Sequence, residues 1–152
     1  MRTASIIARI AATLAKSPWR ITVTAEVGRI ELKLSNDHRL AAGVAGAVAH
    51  VAERVGFDAG AQAGLVEATE EACRDAFLSL GNATAQLGVS IEDFPDRVEV
   101  TLEYQTPREA EATAGRGGHK LLARVDSVRR DTQAGVSRMT LVKYIHPHAQ
   151  RP

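Results

Sequence analysis

The spacing of apolar residues changes several times along this chain of 152 residues, and each change marks a new structural element. Residues 19–35 alternate apolar and polar side chains about Gly28, which predicts a β-hairpin. Residues 37–80 then carry apolar side chains at helical spacing, with a break at Gly56 and a possible N-cap at Asp58. The first half of the chain therefore predicts a hairpin followed by two helices.

The second half repeats the same two patterns. Alternating apolar residues over 86–104 predict a second hairpin, and residues 118–125 predict a third helix. The apolar residues of that helix are Leu121, Leu122 and Val125. Residues 127–145 predict a last hairpin, turned at Ala134–Gly135. This order predicts an α/β protein, a two-layer α/β sandwich whose mixed, mostly antiparallel sheet carries the helices on one face.

The N-terminal segment is predicted to add a helix to this sandwich. Its larger apolar residues fall on one helical stripe, which consists of Ile6, Ile7, Ile10 and Leu14. Arg9 and Lys16 interrupt the apolar run, which is far shorter than the roughly 20 residues that span a bilayer. We therefore expect an amphipathic helix over residues 4–16 that packs on the domain or dimerises, with attachment to a membrane surface as the alternative.

Composition fits one globular domain, with 45% hydrophobic and 24% charged residues. The expected organisation is an N-terminal helix and extra strand over 1–28, the main domain over 29–146 and a tail over 147–152. A net charge of +1 gives no overall field for nucleic acid or an anionic membrane, so neither is expected as a partner. The single cysteine, Cys73, excludes an internal disulfide and favours a cytoplasmic protein with a buried structural thiol.

Three acidic residues, Glu67, Glu71 and Asp75, are spaced four apart and form what we call the acidic row. On a helix each like-charge step costs about 0.2–0.5 kcal/mol. If the row faces a cleft, Glu71 can accept the proton of a serine hydroxyl, and Asp75 can bind a hard cation such as magnesium. The alternative is a solvated helix face, on which Glu70 and Arg74 form an exposed ion pair.

A glycine stretch precedes the third predicted helix. It contains Gly115, Gly117 and Gly118, and Arg116 and His119 lie beside these glycines. Free backbone N–H groups at the start of a helix favour a phosphate. The alternative is that the glycines only let the chain reverse direction.

Four segments together resemble one family. They are "ATEEACRDAF", "IEDFPDRVEVTLEY", "GRGGHKLLARVDSV" and "GVSRMTLVKYI". Their order and local sequence resemble the histidine-kinase-like ATPase (GHKL) superfamily, in its anti-sigma-factor serine kinase branch. The resemblance implies that fold, with ATP and magnesium as cofactors. It also implies a sigma factor or an anti-sigma antagonist protein as partner. We further expect a homodimer, because the amphipathic helix over 4–16 and the hairpin over 19–35 offer exposed surfaces for it.

The resemblance also implies roles for single residues. Glu71 falls on the glutamate that serves the family as catalytic base, and Asp75 falls on the asparagine that holds the magnesium. The nucleotide-binding residues implied are Asp75, Gly115, Arg116, Gly117, Gly118 and His119. A kinase of this kind would phosphorylate a serine on the antagonist protein.

The chain departs from the family at the adenine site. Tyr104 falls where the family has the aspartate that binds the adenine amino group, and Thr106 falls on the first glycine of the motif after it. Only residues 105–114 are available for the lid that covers the phosphates. Two hypotheses follow: a regulatory serine kinase that binds Mg-ATP, and a non-catalytic interaction module of the same fold that binds no nucleotide.

Overall fold

A computed structural model describes residues 21–26, 28–105 and 118–145. For residues 25, 26, 118 and 119 it describes the backbone alone. Several predictions fall outside these ranges. They are the helix over 4–16, the site candidates Gly115, Arg116 and Gly117, the departure at Thr106, and the tail over 147–152.

Six β-strands of the described chain form one sheet. They are β1 Ile21–Glu26, β2 Arg29–Ser35, β3 Gln86–Asp93, β4 Arg97–Gln105, β5 Ser127–Gln133 and β6 Val136–Tyr144. Their order across the sheet is β1-β2-β3-β4-β6-β5. Each neighbouring pair is antiparallel. The three predicted hairpins are confirmed. The predicted sheet was mixed and mostly antiparallel, whereas all neighbouring pairs among the described strands are antiparallel.

Three α-helices accompany the sheet in the described ranges. They are α1 Ala41–Val55, α2 Ala59–Ser79 and α3 Gly118–Leu122. Asp37 caps a single 3-10 turn that leads into α1, and Gly56 ends α1 with a φ of 88°. Asp58 accepts a hydrogen bond from Ala61 N and caps α2, as predicted. None of these helices combines the length and the apolar character that a membrane span needs.

The sheet turns one face to the helices and the other to solvent. In β4, Val98, Val100 and Leu102 are fully buried. Glu99 and Glu103 alternate with these buried residues. They lie on the solvent-facing side of the sheet, where they form ion pairs with arginines. This period of two is what an antiparallel sheet with one wet face requires. The predicted two-layer α/β sandwich is confirmed.

The third helix is shorter than the sequence indicates. It ends at Leu122, and the chain then turns, with Arg124 N donating to Leu121 O at 3.0 Å. Leu121 is fully buried and Val125 is 5% exposed, whereas Leu122 is 49% exposed. Apolar spacing in a helix of one turn does not distinguish the leucine that faces the core from the one that faces water.

The last hairpin contains a backbone conformation that alanine rarely adopts. Ala134 has a φ of 51° and Gly135 a φ of 78°, and a two-residue type I′ turn needs this combination. A left-handed alanine costs roughly 1–2 kcal/mol, and asparagine tolerates the conformation better. Ala134→Asn is therefore expected to raise the free energy of unfolding by about 0.5–1 kcal/mol in urea titrations.

The matched control for this turn is Gly135→Ala. It places a second Cβ at positive φ and is expected to lower the free energy of unfolding by about 1 kcal/mol. A loss of stability in Ala134→Asn would contradict the proposed cost of the left-handed alanine.

Candidate functional site

Helix α2 carries the acidic row on one face and core residues on the other. Leu65, Ala68, Ala72 and Ala76 are fully buried, which turns the acidic row away from the core. Glu71 is partly exposed and Asp75 is exposed. The structure therefore keeps Glu71 and Asp75 on one side of α2, one helical turn apart, as their spacing predicts.

Arg124, in the turn after α3, forms ion pairs with two members of the acidic row. Its Nη1 donates to Glu71 Oε2 at 2.8 Å, and its Nε lies 3.5 Å from Glu67 Oε2. These contacts offset the like-charge repulsion between the two glutamates. The side chains are 30% exposed at Glu71 and 61% exposed at Glu67, so the pair with Glu71 is the better shielded one.

The backbone of Arg124 is held against α2 as well. A Cβ built on Gly64 would lie 2.8 Å from Arg124 O, which is closer than a real Cβ can approach. Lys143 Nζ also donates to Arg124 O at 3.4 Å. The absence of a side chain at Gly64 therefore lets the turn after α3 reach α2, where Arg124 meets the acidic row.

Asp75 lies in a mixed electrostatic environment. Partial burial raises the pKa of its carboxyl above the usual value, and the nearby Glu71 raises it further. Arg130 on β5 and Lys120 on α3 act in the opposite direction. The fold thus brings two cations from separate elements within electrostatic reach of Asp75.

Tyr104, at the end of β4, belongs to the same corner of the molecule. Its hydroxyl lies near the Ser79 side chain, and burial raises the pKa of the phenol. Ser79 in turn donates to Asp75 O at 2.9 Å. The residue at the end of β4 is thus a half-buried tyrosine that lies beside the last turn of α2.

The other predicted site residues are only partly placed. Gly118 starts α3 and His119 follows it, but their side-chain surroundings are not described, and Gly115, Arg116 and Gly117 lie outside the described ranges. Within those ranges no three His, Cys, Asp or Glu residues form a metal-binding group. Magnesium often binds through one carboxylate together with waters and substrate phosphates, so Asp75 fits a magnesium ion that arrives with a nucleotide.

Two predictions about neighbouring residues are also settled. Glu70 and Arg74 form the predicted i, i+4 ion pair. Cys73 is fully buried, and burial raises the pKa of its thiol to about 12. A thiol in this state is protonated at neutral pH and unreactive, which confirms a structural cysteine.

Sequence reasoning missed Arg124, Ser79 and the role of Gly64. Arg124 is separated from Glu71 by 53 positions in the sequence, so no local period connects them. Gly64 gave the one available signal, because a glycine inside a helix often marks a close approach of another backbone.

The raised pKa of Asp75 predicts a pH-dependent effect on stability. A carboxyl with a raised pKa destabilises the native state when ionised, and that penalty disappears as the pH falls through the raised value towards the usual 3.8. Asp75→Asn removes the ionisation. The variant is expected to be more stable than the original chain at pH 7 and equally stable below the usual pKa, in urea titrations at each pH.

A difference between the two proteins that stays constant over this pH range would contradict the assignment. So would a variant that is less stable at neutral pH, because the carboxylate of Asp75 would then be a stabilising group.

Comparison with known proteins finds a solved structure of similar fold. No protein-family model matches the chain, and no curated protein matches it. Among solved structures, the chain is similar to the RsbU and RsbW domains of Rv1364c from Mycobacterium tuberculosis, with a TM-score of 0.59 and 17% sequence identity. The likeness shows the fold. It covers 78% of this chain and 33% of that chain, so this chain matches about a third of the length of its neighbour.

Proposed function

We propose that this chain is a regulatory protein that acts by binding a partner protein, either a sigma factor or an anti-sigma antagonist. The sequence resemblance to anti-sigma-factor serine kinases supports this proposal over most of the chain. The fold likeness to a chain with RsbU and RsbW domains supports it independently of single residues. The observation that favours binding over catalysis is the ion pair between Arg124 and Glu71, because it engages the proposed catalytic base.

The ion pair with Arg124 limits the access of a substrate hydroxyl to Glu71. A general base must come within about 2.6–3.2 Å of the hydroxyl whose proton it accepts. Arg124 Nη1 already lies at 2.8 Å from Glu71 Oε2, so a substrate serine would have to displace it or use the other oxygen. The acidic row thus already has a structural role, which is to hold the turn after α3 against α2.

The adenine position supports the same proposal. An aspartate there accepts a hydrogen bond from the amino group of adenine in the related family. Tyr104, which falls on that position, is half-buried beside Ser79 and carries no carboxylate to accept that hydrogen bond. We infer that partner binding, rather than nucleotide turnover, is the activity of this chain.

The test is a binding measurement with defined partners. The purified chain is immobilised and titrated with each sigma factor, and each antagonist-like protein, that the source genome encodes, with and without Mg-ATP. We expect one of them to bind with a micromolar or tighter Kd, and Mg-ATP to leave that Kd unchanged. Absence of binding to any member of either class would overturn the proposal.

A second candidate, a serine kinase that uses Mg-ATP, is favoured by the surroundings of Asp75. Lys120 and Arg130 lie within electrostatic reach of this carboxylate, and cations next to a magnesium ligand suit a bound triphosphate. Isothermal titration with ATP and ADP, with and without magnesium, tests it directly. Binding that requires magnesium, that is lost in Asp75→Ala and that is kept in Glu71→Ala would support a working nucleotide site with separate metal and base roles, and would justify a search for a serine substrate.

A matched control for this titration is Asp96→Ala. Asp96 lies in the turn before β4, at the opposite end of the strand from Tyr104, and its side chain is 62% exposed. Loss of nucleotide binding in both aspartate variants would point to a general effect of charge rather than to a metal ligand.

A further inference from the structure

An apolar groove of about 360 Å³ runs between the hairpin β1–β2 and helix α1. The hairpin lines it with Ile21, Val23 and Ile30, and α1 lines it with Gly43, Ala47 and His50. The floor is made of core residues of both elements. His50 is the one polar side chain among the lining residues of this groove, so its occupant should be apolar and uncharged where it makes contact.

The part of the chain that the structure describes leaves this groove open to water. Gly43 and His50 are exposed, and a Cβ built on Gly43 would meet nothing within 4 Å. β1 is an edge strand of the sheet, and Ile21 and Val23 are only partly buried. Contiguous apolar surface of this kind marks a place where another segment binds.

We propose that residues 4–16 of the same chain bind in this groove as an amphipathic helix. The lengths agree, because thirteen residues form a helix of about 20 Å and the edge of the groove along α1, from Ala41 to His50, extends about 14 Å. The connection agrees too. Residues 17–20 join this segment to Ile21, which lines the groove, and five peptide units reach at most about 18 Å.

The side chains of the segment also match the groove. Its apolar stripe of Ile6, Ile7, Ile10 and Leu14 can enter, while Arg9 and Lys16 lie off the stripe and stay in water. On the receiving side, Gly43 and Ala47 are small enough for a second helix to approach α1 closely.

The same segment of a second copy would present the same stripe, but the chain's own segment has an advantage. A tether of four residues holds it beside the groove at an effective concentration in the millimolar range. This inference is independent of the proposed function, because the groove lies at the β1 edge of the sheet and the acidic row lies on α2.

Thiol labelling in the full chain tests this proposal. Cys73 is fully buried and does not react while the protein is folded, so each new thiol is read alone. His50→Cys places a thiol in the groove, and Glu53→Cys places one on the exposed side of α1. We expect the His50→Cys thiol to react at least about tenfold more slowly than the Glu53→Cys thiol, because the segment must leave the groove before the reagent can enter.

A second pair of changes identifies the occupant. Adding Ile7→Asp and Ile10→Asp is expected to abolish the protection of the His50→Cys thiol. Adding Arg9→Asp and Lys16→Asp, which alters charge off the stripe of the same segment, is expected to leave it intact. The absence of labelling at Cys73 verifies that each variant is folded.

The remaining outcomes each overturn the proposal. Protection that decreases when the protein is diluted would show that a second copy occupies the groove. Equal labelling of the His50→Cys and Glu53→Cys thiols would show a groove that is open in the isolated chain and available to another protein.

Discussion

Leu121→Ala is expected to lower the free energy of unfolding by about 2–5 kcal/mol, the largest effect of any single change considered for this chain. Leu121 is fully buried, and α3 has only five residues, too few to be stable without tertiary contacts. Removal of the leucine side chain leaves a cavity between α3 and the core. Urea or guanidinium titration followed by far-UV circular dichroism measures the loss.

The adjacent leucine is the matched control. Leu122 has the same side chain on the same helix but is 49% exposed, so Leu122→Ala should change stability by no more than about 0.5 kcal/mol. Similar losses in the two variants would mean that α3 is rotated from the orientation described. This comparison also bears on the site, because α3 carries Lys120, one of the cations near Asp75.

Most of the fold was predictable because it follows from local patterns. The alternation in β4 gives a buried face of Val98, Val100 and Leu102, and the capping roles of Gly56 and Asp58 follow from the chemistry of single residues. The pairing of β4 with β6 was not predictable in this way. It joins strands that are distant in sequence, and its register depends on packing against the helices.

In the candidate site too, features that follow from local spacing were predictable and contacts between distant elements were not. The sequence placed Glu71 and Asp75 on one side of a helix, because residues four apart lie on one helical face. It did not reveal that Arg124 pairs with Glu71 or that Tyr104 contacts Ser79. Those contacts join different elements, and only the assembled sandwich brings them together.

Gly64→Ala is expected to lower the free energy of unfolding by about 1–2 kcal/mol, although alanine is the better helix former by about 1 kcal/mol. The added Cβ would lie 2.8 Å from Arg124 O, and a backbone carbonyl cannot rotate away as a side chain can. The turn after α3 must therefore move off α2. Chemical denaturation measures the loss, and a weaker coupling between Arg124 and Glu71 in a double-mutant cycle reports the movement of the turn.

Gly46→Ala supplies the comparison that isolates this steric cause. Gly46 is also inside a helix, and a Cβ built there meets nothing within 4 Å, so the variant should gain about 0.5–1 kcal/mol from helix propensity alone. A gain at both positions would show that the turn after α3 gives way without cost. In that case only the side chain of Arg124 would hold the turn against the acidic row. The close approach of the Arg124 backbone to Gly64 would then not support the structural role assigned to Glu71.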